Sequence, residues 1–245
     1  MTAHPGPPDD PHGEPPAIAA MFSRIARRYD LLNHLLSFGL DIYWRNLMAR
    51  LARLRLGDRA LDVATGTADS AFVLKTRVGP AGSVVGLDLT REMLLIGLAK
   101  VRSRHSDGIE LQEGDAMHLP YRDCVFRAAT MAFGGRNVPD LEGAFREMGR
   151  VLQPGGRAVF LELNRPTLWG FRQVFDWYFH TFSPLVGGLI SGDRGAYEYL
   201  PRSVDRFEAV EDIGRIMARA GLRDIEVHRL MFGSAVIHVG VAPAD

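Results

Sequence analysis

At 245 residues, with 47% hydrophobic and 24% charged, the chain has room for one sizeable α/β domain with an elaboration, or for two small domains. Its formal net charge of zero leaves no basic field to recruit nucleic acid. The single cysteine, Cys124, excludes an internal disulfide framework and any CxxC metal or redox motif, a usage that fits a reducing cytoplasm. No stretch reaches the roughly 18 uncharged apolar residues of a membrane span, and no histidine spacing argues for a metal site. Lys75 and Lys100 are the only lysines among 29 basic residues, which reads as a compositional bias.

Residues 1–17, MTAHPGPPDDPHGEPPA, lack the basic start and apolar run of a secretory signal and read as a disordered tail. A single domain is expected over 18–245, opening with a helical cap at 18–56. There, Leu31, Leu35, Leu47, Leu51 and Leu54 recur at roughly one-turn spacings, with Asp30 and Asn33 as capping residues near a break between two helices. After Gly57 strands and helices alternate. RALDVA, SVVGLDL, IELQEG, VFRAATMAF and RAVFLEL read as five strands. Helices follow the first, second and fourth: one through Leu74, one from Arg91 to about Ser103 and one from Leu141 to Leu152, before the turn QPGG. This order predicts βαβ units and a parallel, doubly wound sheet.

A helical insertion is expected over 167–203, then a helix from about Val204 to Ala220 closed by Gly221. IEVHRLM and SAVIHVGVA, separated by Phe232–Gly233, read as a hairpin. The expected fold is therefore α/β, with a seven-stranded, mostly parallel, doubly wound sheet whose last strand is antiparallel. That arrangement resembles class I S-adenosylmethionine (SAM) methyltransferases more than a symmetrical dinucleotide-binding domain.

In such sheets ligands bind beyond the carboxyl ends of the strands, beside the first one. The loop LDVATGTADS thus places Asp62, Gly66, Thr67 and Asp69 against a cofactor. Gly66 permits close backbone approach or positive φ. A nicotinamide fingerprint would need glycines where Ala64, Gly66 and Asp69 stand, and Asp69 would repel a pyrophosphate. SAM carries no phosphate but does carry a cationic sulfonium, so acidic surroundings suit it better than NAD. Asp88, ending the second strand, can accept both ribose hydroxyls or cap the helix beginning REML. Asp115, after the third, can reach the adenine amino group or remain a solvated loop acid.

YDLLNHLLSFGLDIYW (Tyr29 to Trp44), RVLQPGGRAVFLELN (Arg150 to Asn164) and FGGRNVPD (Phe133 to Asp140) resemble signature segments of the ubiquinone/menaquinone biosynthesis C-methyltransferases, from about Met21 to the C-terminus. The resemblance implies SAM-dependent methylation of a ring carbon on a polyprenylated hydroquinone, most readily demethylmenaquinol. It matches Thr67, Asp88, Asp115 and Ala116 to cofactor contacts, and Ala132 to a position usually held by serine. Thr65 and Ala68 replace loop glycines. It also implies that Arg136 stabilises a phenolate or orients a water, unless it caps a turn or pairs with Asp140, and that Asn137 holds a ring oxygen. Tyr29, Asn33 and His180 stand as weaker candidates over the site, His180 as a proton shuttle or a packed core residue.

In the insertion Phe171, Val174, Phe175, Tyr178, Phe179 and Phe182 fall on one helical face. It reads as a core face against the N-terminal helices that also forms one wall of a prenyl tunnel, with peripheral membrane contact assisting substrate extraction. Naphthoquinol or benzoquinol specificity, tail length and a homodimer stay open. So do a SAM methyltransferase for another small acceptor and a non-catalytic scaffold that binds quinones.

Overall fold

The computed structural model describes residues 30–183 and 194–244, with Met21, Ser23 and Leu185. The expected tail at 1–17 and Tyr29 lie outside the described residues. Seven strands form one sheet: β1 (Arg59–Val63), β2 (Ser83–Asp88), β3 (Ile109–Glu113), β4 (Phe126–Ala132), β5 (Leu152–Leu163), β6 (Arg223–Leu230) and β7 (Ala235–Val241). Their order is β3-β2-β1-β4-β5-β7-β6. The pairs from β3 to β5 are parallel, while β7 runs antiparallel to both of its neighbours. The expected doubly wound sheet with an antiparallel last strand is the one observed.

The inner strands are apolar along their length because both faces are covered. The helices α1 (Leu40–Leu51), α2 (Asp69–Val78) and α3 (Arg91–Ser103) lie on one face. There Trp44 and Met48 pack on Val159 and Ile237, and Leu74 packs with Ala60 and Val84. On the other face α4 (Leu141–Val151) and α7 (Val210–Arg219) bury Phe145, Met148, Ile213 and Met217 against Met131 and Phe160. Asp140 starts α4, its side chain accepting from Gly143 N. The edge strands β3 and β6 stay partly exposed.

A break in the N-terminal helices falls at 37–39, where Phe38 and Gly39 take φ of 53° and 74° and Gly39 N donates to His34 O at 2.8 Å. Asp30 is the first described residue of the helical stretch before it, and the residues immediately preceding Asp30 lie outside the described ones. Two local expectations are displaced. The single helix expected from Val204 to Ala220 is two, because α6 (Arg194–Arg206) stops before Phe207 and α7 starts at Val210. Phe207 turns inward, its ring centroid 6.2 Å from that of Phe160. Gly221 closes α7 with φ 94° as expected. The segment QPGG is a bulge within β5, since Phe126 pairs with Leu152 but Ala128 with Arg157.

The insertion begins with α5 (Trp169–Trp177) and passes into one π turn, Tyr178–Phe182. This shift in pitch splits the expected aromatic face into two rows. Phe171, Phe175 and Phe179 form one, with Phe175 stacked on Phe179 at 5.0 Å. Tyr178 and Phe182 belong to the other, which meets the N-terminal segment: Tyr178 lies 5.6 Å from Phe38 and its hydroxyl donates to Leu36 O. Among the described residues no helix is long and apolar enough to cross a membrane.

The T-shaped pair Phe145–Phe160, 5.2 Å apart and fully buried, joins α4 to the centre of the sheet. Phe145→Ala should lower the free energy of unfolding by about 3–5 kcal/mol, read from urea denaturation followed by circular dichroism.

Candidate active site

The loop after β1 takes an alternating course in which Ala64, Gly66 and Ala68 have φ of 53°, 56° and 72°. Only the middle residue is a glycine, so two alanines hold a left-handed backbone at roughly 1–2 kcal/mol each. Asp62 sits beneath this loop, 1% exposed, accepting from Thr65 Oγ1 at 2.6 Å and Thr130 Oγ1 at 2.7 Å. Burial pushes its carboxyl up to about 6, although both hydroxyls and the Arg45 guanidinium pull the other way. Asp62 therefore supports the loop from below and does not line the cleft.

The departures from glycine are accommodated on neighbouring elements. A Cβ on Gly86 would come within 2.8 Å of Thr65 Oγ1, so glycine in β2 makes the room that Thr65 occupies. A Cβ on Gly97 of α3 would stand 3.3 Å from Ala68 Cβ and 2.8 Å from Leu111. Thr65 and Ala68 are thus packed parts of the loop.

Beyond the strand ends lies a cleft lined by Gly66, Asp88, Asp115, Ala116, Ala132 and Asn137, with Leu87, Met93, Phe133 and Val138 among its apolar walls. These six are sequence-predicted site residues, drawn from the ends of β1 to β4. Asp88 Oδ2 accepts from Gly66 N at 2.7 Å and its Oδ1 from Thr90 N at 2.8 Å, tying the loop to β2. Burial raises the Asp88 pKa, and these backbone donors oppose the shift. Asp115 closes a turn by accepting from Met117 N at 2.9 Å. The described lining holds two carboxylates and no lysine, arginine or histidine. Such a donor set fits a cationic, phosphate-free cofactor such as SAM and offers nothing to a pyrophosphate.

Thr67 lies behind the cleft wall, 3% exposed, and donates to Asp30 Oδ1. Lys100 joins the two: its Nζ is 2.6 Å from Asp30 Oδ2, 3.0 Å from Thr67 Oγ1 and 2.7 Å from Asp69 Oδ1. His34 continues the chain, with Nδ1 2.8 Å from Asp41 and Nε2 3.8 Å from Asp69. Through these groups the N-terminal segment is fastened to the start of α2.

On the far wall, the 3-10 turn Gly135–Asn137 follows β4. Arg136 is buried and paired with Glu162 at the end of β5, not with the Asp140 of the alternative reading. Asn137 faces the cleft, and its Oδ1 accepts from the Tyr199 hydroxyl of α6 at 2.9 Å. His180 is absent from the described lining of the cleft and stands 3.4 Å from Asp205. Tyr29 lies outside the described residues. Among the polar residues that sequence reasoning missed are Lys100, Glu162 and Tyr199. Lys100 had a signal, as a rare lysine in an arginine-rich chain; Glu162 and Tyr199 meet their partners only through the fold.

Residues 12–242 match the ubiE/COQ5 methyltransferase family. The chain is 48% identical over 225 residues to the demethylmenaquinone methyltransferase of Thermus thermophilus, covering 91% of this chain and 100% of that protein. It is 40% identical to the enzyme of the same name from Geobacillus kaustophilus, covering 91% and 95%. Among solved structures, a SAM-dependent methyltransferase of Thermotoga maritima superposes with a TM-score of 0.65 at 18% identity, over 92% of this chain and 99% of that one. A SAM-dependent methyltransferase of Aquifex aeolicus gives 0.57 at 18% identity, over 77% and 84%. These two likenesses speak for the fold.

Two predictions follow from the loop and its fastening. Because Asp62 binds its proton more tightly folded than unfolded, its contribution to stability falls as pH rises from near 4 to about 6. A shift of about two units corresponds to roughly 3 kcal/mol. Asp62→Asn should remove that slope, so variant and wild-type unfolding curves compared between about pH 4 and pH 7 will diverge in pH dependence. Lys100→Met, which leaves Asp30 and Asp69 facing each other without their cation, should cost about 1–3 kcal/mol. It should also speed amide hydrogen exchange selectively in residues 30–36.

Proposed function

The chain belongs to the ubiE/COQ5 methyltransferase family, and from that premise we propose that this SAM-dependent enzyme methylates a ring carbon of demethylmenaquinol in menaquinone biosynthesis. The observation that carries this reading is the 48% identity extending over the whole length of a demethylmenaquinone methyltransferase. The cleft supports it from the chemical side, with two carboxylates for a cationic cofactor and, on its far wall, an amide suited to a ring oxygen.

SAM, when bound, supplies an electrophilic methyl group on its sulfonium. Asp88 would accept the ribose hydroxyls and Asp115 the adenine amino group, while the Gly66 backbone lets the ligand approach closely. Asp62 and Thr67 act one layer back: they hold the loop in the shape that presents Gly66. In the acceptor, ionisation of a ring hydroxyl raises electron density at the ortho carbon; that carbon would take the methyl as the carbon–sulfur bond of the sulfonium broke, releasing S-adenosylhomocysteine, and would then lose its ring proton to water to restore the aromatic ring. The apolar walls Phe133, Val138 and Met93 exclude water from that encounter. Asn137 orients the ring through an oxygen. Arg136, held by Glu162, secures the turn that carries Asn137.

A prenylated acceptor reaches the site from a lipid phase. Trp169, Trp177 and Val174 of α5 are 77%, 62% and 64% exposed, and Phe38, whose ring lies 5.6 Å from that of Tyr178, is 77% exposed. This aromatic face supports peripheral contact with a lipid surface.

The test is anaerobic incubation with SAM and reduced naphthoquinone lacking the ring methyl, followed by mass spectrometry. A single methyl added to the ring is expected. Transfer to benzoquinols alone would reassign the acceptor, and absence of SAM binding in calorimetry would remove the cofactor. Asp88→Ala should weaken SAM binding at least tenfold, or about 1.4 kcal/mol.

A further inference from the structure

Asn137 occupies a position where the direction of its amide decides what it can recognise. A primary amide has one carbonyl acceptor and one NH₂ donor group, and the two cannot serve the same partner interchangeably. Here the choice is made from outside the cleft. The Tyr199 hydroxyl donates to Asn137 Oδ1 at 2.9 Å. Tyr199 belongs to α6 in the insertion, and that helix packs against the turn Gly135–Asn137. Burial pushes the phenol up from its ordinary value against the nearby Arg136 guanidinium, so the hydroxyl keeps the proton that it donates to Oδ1. A neutral phenol donating to Oδ1 assigns the carbonyl side of the amide to α6, which leaves the NH₂ side for the cleft that Asn137 lines.

We propose that Tyr199 is a positioning residue for the acceptor, fixing the Asn137 amide so that its NH₂ group donates to a ring oxygen of the substrate. The inference rests on the reading of the chain as a quinol methyltransferase and extends it to the form of the acceptor. An NH₂ donor selects an oxygen that offers lone pairs, and most strongly an ionised one, because charge-assisted hydrogen bonds are the strong ones. The site thus favours the electron-rich phenolate, the form whose ortho carbon is nucleophilic. It also gives the insertion a role in catalysis that does not require any of its side chains to enter the cofactor half of the cleft.

The experiment compares Tyr199→Phe and Asn137→Asp with the wild type. It measures methyl transfer from SAM to 1,4-naphthohydroquinone under anaerobic conditions, calorimetric binding of that hydroquinone to protein loaded with S-adenosylhomocysteine, and SAM affinity. Tyr199→Phe frees the amide to rotate and should reduce kcat/KM and hydroquinone affinity about tenfold, with SAM affinity within twofold of wild type. Asn137→Asp keeps an acceptor for the Tyr199 hydroxyl but removes the donor, and should lose at least as much turnover. A structural role alone would instead lower SAM affinity and thermal stability together in Tyr199→Phe. That result, or wild-type kcat/KM in either variant, would overturn the proposal. A wild-type protein that neither binds nor methylates the hydroquinone would overturn the functional reading and this proposal with it. Normal wild-type turnover with an indifferent Tyr199→Phe would overturn this proposal alone.

Discussion

A carboxylate with almost no access to water holds the cofactor loop together. Asp62 closes β1 and gathers the hydroxyls of Thr65, in the loop, and Thr130, in the neighbouring strand β4. Around that anchor the backbone alternates through three left-handed residues, two of them alanines. Such a course is locally unfavourable and persists only where other contacts over-determine it. Those contacts are visible: Gly66 N donates to Asp88, Thr65 N donates to Leu87 O, and Ala68 N donates to Thr65 O. The energy of burying Asp62 and straining two alanines comes from the surrounding sheet. What it secures is a fixed Gly66 beside Asp88, on which the cleft is built.

The same loop is fastened from the N-terminal side by a point charge. An ammonium group projects three donors from a single atom, whereas a guanidinium spreads five over a plane. Lys100 reaches Asp30, Thr67 and Asp69 from three directions. Lys75 likewise donates to the carbonyls of Gly79 and Gly82. A chain that uses arginine for every other basic position keeps lysine where acceptors converge on one point. The scarcity that looked like compositional bias marks two structural junctions.

What could be read from the sequence was what depends on neighbours in the chain. Strand and helix order follows from local periodicity, and the acids at successive strand ends follow from that order. So Asp88 and Asp115 could be placed at the cleft before any contact was known. The missed features depend on partners far along the chain. Asp30 meets Lys100 only where α3 passes the N-terminal segment, and Arg136 meets Glu162 because β5 brings that carboxylate beneath it. Thr65 and Ala68 looked like defects in a glycine loop until Gly86 and Gly97 supplied the missing space from β2 and α3. In this chain the glycines stand on the surfaces against which Thr65 and Ala68 pack.

The segment Gly135–Arg136–Asn137 shows how a short motif becomes rigid. A side chain at 135 would run into the Phe160 ring, so the turn lies directly on β5. Arg136 then reaches Glu162 at the end of the same strand, and Asn137 meets Tyr199 from α6. A buried ion pair such as Arg136–Glu162 adds little net stability, because desolvation offsets most of the attraction. Its value is directional: it permits one orientation of the turn, with one residue pressed down, one anchored and one presented. A motif recognisable as five letters, FGGRN, is thus a small mechanical assembly in which Phe133 lines the cleft with an apolar ring and Asn137 with its polar side chain. Arg136 lies buried on Glu162 beneath this wall, so removing it should disturb the fold of the turn that carries Asn137.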